Sequence, residues 1–472
     1  MLLSELLDGL KIKNTFTDTE VTDVTDKTSA ISAGCAFVCV KGARFDGHSF
    51  AEKALEQGAS AVIVTEDLGL DKQVIVDNTR EAYAIMCKNL CQKAVERLTV
   101  IGITGTNGKT TTAFIIKDIL KALGVESGLI GTVKNMVGDK EFSTELTTPD
   151  PYDMHKLFEM MVNEGIKYCV METSSQAFHQ MRLAGISFKT GVFTNLTQDH
   201  LDYHGTIEEY KACKKTLFLN SENIILNSDD EASQYMGEGV EGNITSYGVN
   251  CEADFKAENV ELFADRVEYD LNNLRVVFNI PGDFSVYNSL SAISAVCSLG
   301  YEPSEVVEAI STANAVKGRI ELLKTNTDFS VIIDYAHTPD GLEKAIEAVR
   351  GFTKGRVITL FGCGGDRDKT KRPKMGRTAT DLSDIVVITT DNPRTEDPEV
   401  IIEEILIGTV GSKAEVITVT DRSEAIKKAL SIAEKGDTIL LAGKGHETYQ
   451  VIGTERVHYD EREVVSEALK NM

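Results

Sequence analysis

The chain has 472 residues, with 49 Lys and Arg against 73 Asp and Glu, a net charge of −24, and 42% hydrophobic and 26% charged residues. This is a globular composition, long enough for about three domains of ~150 residues. The acidity and the lack of a long basic run exclude a nucleic-acid backbone or an anionic membrane as the main partner, though a few local cations and backbone N–H groups could still hold a small anion.

The start, "MLLSELLDGLKIKN", is too short and too acidic for a signal peptide, and no apolar run approaches 18 residues, so a cytoplasmic protein without membrane insertion is expected. Residues 1–98 alternate short apolar runs ("CAFVCV", "SAVIV", "QVIV") with helical stretches and read as a small α/β domain. Within it Cys87 and Cys91 lie four apart on one helix face, with no second pair to complete a metal site; the nine cysteines read as reduced, mostly buried thiols.

A fresh strand–loop–helix unit opens at residue 99 with "RLTVIGITGTNGKTTTAFIIKDILKALG", Gly124 serving as the residue after the helix. Buried-strand runs follow ("KYCVMET", "KTGVFTNL", "ENIILNSD"), then a β-rich stretch from about 244 to 281 and a return to helix in "PGDFSVYNSLSAISAVCSLG". From residue 318 onward, "FSVIIDYAHTPDGL", "GRVITLFGCGGDRD", "DIVVITTDNPR", "AEVITVT" and "DTILLAGKGHE" are strands ending in polar loops, the signature of a parallel sheet. Ligands of such sheets gather beyond the carboxyl ends of the strands. The expected domains are therefore 1–98, 99–317 and 318–472.

The strongest chemical signal is "GITGTNGKTTT" (102–112). A glycine turn opening a helix presents backbone N–H groups and the helix dipole to phosphate. Gly105, Thr106, Asn107, Gly108, Lys109, Thr110 and Thr111 are the candidate nucleotide contacts, Lys109 reaching the β/γ-phosphates and Thr110 a Mg²⁺ ion. The strict phosphate-loop pattern is not met, because Ile103 stands where its first glycine would be.

"GTNGKTTT", "METSSQA", "NLTQDHLDYHG", "YKACKKTLF", "PGDFSVYNSL", "KGRIE", "DYAHTPDGL" and "GCGGDRDKTKRP", in this order and over nearly the whole chain, resemble the Mur ligase family, whose members couple amino acids to the peptide of the peptidoglycan precursor. The nearest match is to the ligases that extend UDP-N-acetylmuramoyl-dipeptide by its third residue. The resemblance implies an N-terminal α/β UDP-binding domain, a central P-loop ATPase-like domain with a mainly parallel sheet and a small β-rich part, and a C-terminal Rossmann-like domain.

It also implies ATP as co-substrate and Mg²⁺ as cofactor in a monomeric enzyme. Lys109, Glu172, His200 and Lys214 become the catalytic set, and Thr110, Glu172, His200 and Lys214, the last as a carbamate, the metal set. Asn288, Arg319, Asp334 and His337 complete the nucleotide site, and closure of the third domain follows as an expectation. Thr147, Thr148, Ser174, Gln180 and Arg182 match positions for the UDP-sugar, as does Thr28. Here the chain departs from the family's Asp-Ser-Arg triplet, having Lys27, Thr28 and Ser29, and the arginine is lost. "DGHSF" (46–50) fits the same domain.

The third amino acid is read from "TTDNPRTEDP" (389–398). Asp391, Asn392 and Pro393 form turns readily, and Asp397-Pro398 reads as a helix N-cap followed by Pro at N1. By resemblance, a D-N-P-R loop accompanies meso-diaminopimelate. That molecule is lysine with an additional distal carboxylate, which a guanidinium binds bidentately. Arg394 is assigned to that group, Arg367 to the α-carboxylate and Glu447 to an ammonium, with Asp391, Asn392, Pro393 and Gly443 as further contacts of the same pocket. The alternatives are a lysine- or ornithine-adding relative, a folylpolyglutamate synthetase, and an ATP-binding module without turnover.

Overall fold

The computed structural model describes all residues except 43–44, 198, 264, 314–316 and 471–472. The chain divides into two compact units, one of residues 1–255 and 291–306, the other of residues 256–290 and 307–472.

The first unit opens with a parallel sheet of β1 (Val24–Thr25), β2 (Ala36–Val38), β3 (Ala61–Val64) and β4 (Gln73–Ile75), in that order. Successive side chains of a strand point to opposite faces. Ala36, Val38 and Ile63 therefore enter one apolar core with Leu3, Leu6 and Met86, while Phe37, Val62 and Val64 enter a second with Ala51 and Ala54. Both faces are covered, which is why these strands read as unbroken apolar runs.

A larger sheet of the same unit is built on β5 (Thr99–Thr104), β6 (Ser127–Ile130), β7 (Asn135–Val137), β8 (Lys140–Phe142), β9 (Tyr168–Glu172), β10 (Phe188–Phe193), β11 (Ser221–Asn227) and β12 (Asn243–Gly248). Their order is β12-β11-β10-β5-β9-β6-β7-β8. It is parallel from β12 to β6, and β7 and β8 turn antiparallel at the edge. β5 lies between β10 and β9, so the loop after it emerges at the middle of the sheet's carboxyl edge. The helix Lys109–Ala122 follows, with Gly124 at φ +78° just past its end.

The second unit begins with an antiparallel meander of β13 (Phe255–Leu262), β14 (Val267–Leu271) and β15 (Leu274–Phe278), the β-rich stretch expected. Its main sheet combines β16 (Glu321–Leu322), β17 (Ser330–Asp334), β18 (Val357–Phe361), β19 (Ile385–Ile388), β20 (Glu415–Thr418) and β21 (Thr438–Ala442) in the order β16-β17-β21-β18-β19-β20. All pairs but the edge pair β16–β17 are parallel. Ile332, Leu440 and Val386 pack on one face, and Val331, Ile333, Ile358 and Leu441 on the other, the pattern of a doubly wound sheet.

Four polar loops therefore leave the same edge, after Asp334, Phe361, Ile388 and Ala442. Asp397 caps the helix Pro398–Thr409 through Glu399 N, with Pro398 at N1, as its sequence predicts. The hairpin of β22 (Tyr449–Ile452) and β23 (Glu455–His458) was not anticipated, although Gly453-Thr454 between two strand-like runs is a hairpin signal.

Candidate functional site

The phosphate-type loop is held by the segment after β10. Asn195 O accepts Thr106 N (2.8 Å), Asn195 Oδ1 accepts Asn107 N (2.9 Å), and Thr197 N donates to Thr106 Oγ1 (2.9 Å). Gly105, at φ +152°, has no alternative: a Cβ there would stand 1.8 Å from Thr194 Oγ1. Gly108, in the left-handed region, N-caps the helix, so Lys109, Thr110 and Thr111 form its first turn with the positive end of the dipole. Lys109 Nζ donates to Gly105 O (2.9 Å) and Thr106 O (3.0 Å).

Glu172, the last residue of β9 and fully buried, is a hub. Its carboxylate accepts Thr110 Oγ1 (2.9 Å), Thr132 N (2.8 Å) and Thr132 Oγ1 (3.0 Å). Thr132, which the sequence reading missed, has Thr147 Oγ1 3.0 Å from the same hydroxyl oxygen, which can accept the Thr147 proton. Thr148 Oγ1 donates to Glu172 O (2.8 Å) and accepts Ser174 N (3.0 Å), and Ser174 caps the helix Ser175–His179. Arg182 reaches Thr148 O (2.8 Å) and Gln180 Oε1 (3.1 Å from Nε), with Asp150 at 3.4 Å. Thr147, Thr148, Ser174, Gln180 and Arg182 are thus brought together around the end of β9.

Lys214, on the helix Ile207–Leu219, is buried beside the loop. Its Nζ donates to Gly105 O (2.7 Å) and lies 4.3 Å from the centre of the Tyr210 ring, four residues earlier on the same face. Two ammonium groups, those of Lys109 and Lys214, thus point at one carbonyl oxygen. Burial first, and then the charge of Lys109, push the Lys214 pKa well below its usual 10.5. The neighbouring Lys215 instead lies over Tyr235, so only Lys214 belongs to the loop. His200, half-exposed and at φ +54°, stands with its ring 6.2 Å from that of Tyr210.

Among the described residues no group of three or more His, Cys, Asp and Glu gathers into a ready-made metal cage. The adjacent oxygen donors of Thr110 and Glu172 nevertheless suit Mg²⁺, which takes one or two protein oxygens and completes its shell with water and phosphate.

In the second unit, Asp334 ends β17 with its carboxylate accepting Ile320 N and Ala336 N, both at 2.8 Å. Burial raises its pKa and Arg319 opposes the shift. The Arg319 guanidinium lies 5.1 Å from the centre of the Tyr335 ring, with its Nε buried and without a hydrogen-bond acceptor among the described residues. His337 sits on the same loop, its ring 4.8 Å from that of Tyr335, and Asn288 is buried on the helix Phe284–Cys297. Gly318, at φ +74°, lets "KGRIE" meet "GKGHE": a Cβ there would lie 2.1 Å from the Gly445 backbone.

The loops after β18, β19 and β21 converge. Arg394 Nη1 donates to Gly365 O (2.8 Å), and a Cβ on Gly364 would stand 2.8 Å from that nitrogen and 3.8 Å from Arg367 Cγ, so both arginines flank one glycine. Arg367 is exposed, whereas Asp391, Asn392 and Pro393 are buried and act as framework. Asn392 Nδ2 donates to Glu447 Oε2 (3.0 Å), and Gly443, at φ +114°, passes close over Asp391. Lys444, which the sequence reading did not single out, is fully enclosed between them.

In the N-terminal sheet, the carboxyl ends of the strands open onto a cavity of about 360 Å³, lined by Lys41, Asp46, His48, Thr65, Glu66, Asp77, Asn78, Thr79 and Arg80. His48 Nε2 accepts Thr65 N (3.0 Å), which leaves Nδ1–H to donate to Asp46 Oδ1 (2.7 Å). Asn78 Nδ2 donates to Met181 (3.2 Å), between Gln180 and Arg182. Thr28 lies in the short 3₁₀ turn Thr28–Ala30 and does not line this cavity.

Residues 20–97 match the catalytic domain of the Mur ligase family, residues 103–296 the Mur ligase middle domain, and residues 318–445 the Mur ligase glutamate ligase domain. The chain is 46% identical over 445 residues to the UDP-N-acetylmuramoyl-L-alanyl-D-glutamate–2,6-diaminopimelate ligase 1 of Clostridium acetobutylicum, covering 92% of each chain. It is 44% identical to the ligase of that name from Clostridium perfringens, over all of both chains. A solved structure of a UDP-N-acetylmuramoyl-L-alanyl-D-glutamate–2,6-diaminopimelate ligase superposes with a TM-score of 0.75 at 28% identity, covering 100% of this chain and 99% of that one. With three family domains in order and relatives this similar along its whole length, the chain belongs to the Mur ligase family.

Proposed function

We propose that the chain is the ATP-dependent ligase that joins meso-2,6-diaminopimelate to UDP-N-acetylmuramoyl-L-alanyl-D-glutamate in the cytoplasm. The observation that carries the choice of amino acid is Arg394, set beside Arg367 at the carboxyl edge of the second unit's sheet, near Glu447. A guanidinium suits the distal carboxylate; lysine, which lacks it, would leave Arg394 desolvated and unpaired.

A carboxylate oxygen of the UDP-dipeptide attacks the γ-phosphorus of ATP, releasing ADP and forming an acyl phosphate. The amine of diaminopimelate then attacks the acyl carbon, loses a proton, and phosphate departs with the C–O bond. No protein nucleophile is needed, so the chain contributes positioning and charge neutralisation. Lys109 and the N–H groups of residues 108–111 bind phosphate oxygens, with Gly105, Thr106 and Asn107 shaping the loop around them. Thr110 and Glu172 would hold Mg²⁺, with His200 and carbamylated Lys214 as further ligands; bound there, the ion offsets the charge that develops on the phosphates.

The depressed pKa of Lys214 favours a free amine, which with CO₂ yields a carbamate and a proton. Asn288, Arg319, Asp334 and His337 are assigned to the nucleotide, and Thr147, Thr148, Ser174, Gln180 and Arg182 to the UDP-sugar peptide. The N-terminal cavity, with Lys41 and Arg80 in its wall beside Asp46, Glu66 and Asp77, is assigned to the uridine diphosphate end, Arg80 offering the guanidinium that the Lys27-Thr28-Ser29 triplet lacks; Thr28 keeps its assigned hydroxyl contact.

The test is mass spectrometry of the products formed from UDP-N-acetylmuramoyl-dipeptide and ATP with equal diaminopimelate, lysine and ornithine. The diaminopimelate adduct is expected to dominate; a lysine or ornithine adduct in excess overturns the assignment.

A further inference from the structure

The binding loops account for Arg394, Arg367 and Glu447 but leave a buried cation unexplained. Lys444 has no exposed side-chain surface, and its Nζ makes a complete set of three hydrogen bonds: to Asn392 Oδ1 (2.5 Å), Tyr449 O (3.0 Å) and Glu447 Oε2 (3.2 Å). The three acceptors come from three separate segments, the loops after β19 and β21 and the hairpin strand β22.

Asn392 continues the lock. Its Oδ1 also accepts Val451 N (2.9 Å), while its Nδ2 holds Glu447 Oε2 (3.0 Å). Gln450 Nε2 donates to Asp391 O (2.6 Å), and Arg394 pairs with β22 through Arg394 N to Val451 O (3.1 Å) and Gly453 N to Arg394 O (2.8 Å). This pairing matters because Arg394 has φ +52°, a left-handed backbone that a residue with a side chain adopts only when its surroundings impose it. That backbone directs the guanidinium toward Gly364 and Gly365.

We infer that Lys444 is a positioning residue for amino-acid selection. Through Asn392 and β22 it holds Arg394 in its left-handed conformation, and by neutralising one edge of the Glu447 carboxylate it orients the other for an ammonium. A carboxylate left unpaired would swing; one fixed by a buried cation on one oxygen and an amide donor cannot. The inference rests on the proposed diaminopimelate site.

The test is steady-state kinetics of the full-length enzyme, with diaminopimelate, ATP and UDP-dipeptide varied in turn and lysine as the competing amine. Lys444→Met nearly keeps the volume of the side chain, one atom shorter, and removes the ammonium. The KM for diaminopimelate is expected to rise about 10- to 100-fold, and the preference for diaminopimelate over lysine to fall by a similar factor. The KM values for ATP and UDP-dipeptide should stay within about twofold of wild type. The double variant Lys444→Met/Glu447→Gln should lose less than the sum of its parts, because both changes act on one lock.

An unchanged KM for diaminopimelate in a folded Lys444→Met, or an equal rise in all three KM values, overturns the inference. Should Lys444→Met fail to fold, Asn392→Asp decides by the same criteria, since it keeps the Lys444 acceptor and turns the donor to Glu447 into a repelling oxygen. Arg394→Ala separates the two levels. If it leaves diaminopimelate addition and selection intact, the proposed site for the distal carboxylate is wrong; if it abolishes selection while Lys444→Met does not, only the role of Lys444 fails.

Discussion

Two lysines of this chain are buried to the same degree and are used in opposite ways. Lys214 has a backbone carbonyl shared with a second ammonium and an aromatic face, so burial and Lys109 both favour its neutral form. Lys444 has a carboxylate and two carbonyl-type oxygens in a closed arrangement. Both side chains are out of water; what differs is the partners, an aromatic face and a shared carbonyl at Lys214, a carboxylate and two further oxygens at Lys444. The loop at Lys214 thus leaves Lys109 as the cation facing the proposed triphosphate site. The loops at Lys444 pair one lysine with one edge of a carboxylate before the amino acid arrives; in the proposed site Arg394, Arg367 and the other edge of Glu447 are left to recognise it.

The contrast can be broken first at its reactive side. Lys214→Ala is expected to lower ligase turnover about 10³-fold, close to the effect of Lys109→Ala, because each removes charge stabilisation in a water-poor site. Initial-rate assays of ADP release check this, and intact-mass measurement at high bicarbonate should find the carbamate on wild type only. Retention of activity in Lys214→Ala would make it a framework lysine like Lys444.

At the other site, Arg394→Ala should cut kcat/KM for diaminopimelate about 100-fold, the cost of one charge-assisted pair in a desolvated pocket. Near-normal turnover would show that the distal carboxylate is bound elsewhere. Glu447→Gln removes the counter-charge of Lys444 and should lower unfolding free energy by about 2 kcal/mol, measured by urea denaturation without ligands. No change would mean that the two carbonyl oxygens suffice to hold the ammonium.

The smallest effect is on pH dependence. The folded chain binds fewer protons at Lys214 than the unfolded chain does between its depressed folded pKa and the usual 10.5. Stability therefore rises with pH across that window, by up to about 1.4 kcal/mol per unit from this group. Lys117, buried with its Nζ on Ser127 O and also lowered by burial, adds a slope of the same sign, so the measurement is the difference between wild type and Lys214→Met. A difference that does not change with pH would show Lys214 to be charged throughout.

Much of the fold was legible because parallel strands buried on both faces read as continuous apolar runs, as "KYCVME" and "SVIID" do for β9 and β17. The hairpin β22–β23 was not, since its residues are mostly exposed and alternate only weakly. Within the site, the phosphate loop was readable from its spacing, and Lys214 only through resemblance, since Lys215 beside it is chemically identical. Thr132 and Lys444 carried no signal of their own: a threonine in a turn and a lysine in a glycine loop are ordinary surface patterns until burial is known.

The sequence by itself determined what depends on a few consecutive residues: the Gly105–Thr110 turn and its helix, the Asp397-Pro398 helix start, the turn character of Asp391-Asn392-Pro393, and the family. Backbone preference and local capping act over one or two turns, so they are written in neighbouring letters. Tertiary structure decided which lysine is deprotonable, which is locked, and how Arg394 is held. Those outcomes are set by Tyr210, Gly105, Glu447 and Val451, segments brought together only by the sheets, and by a loss of solvent that no single stretch of sequence specifies.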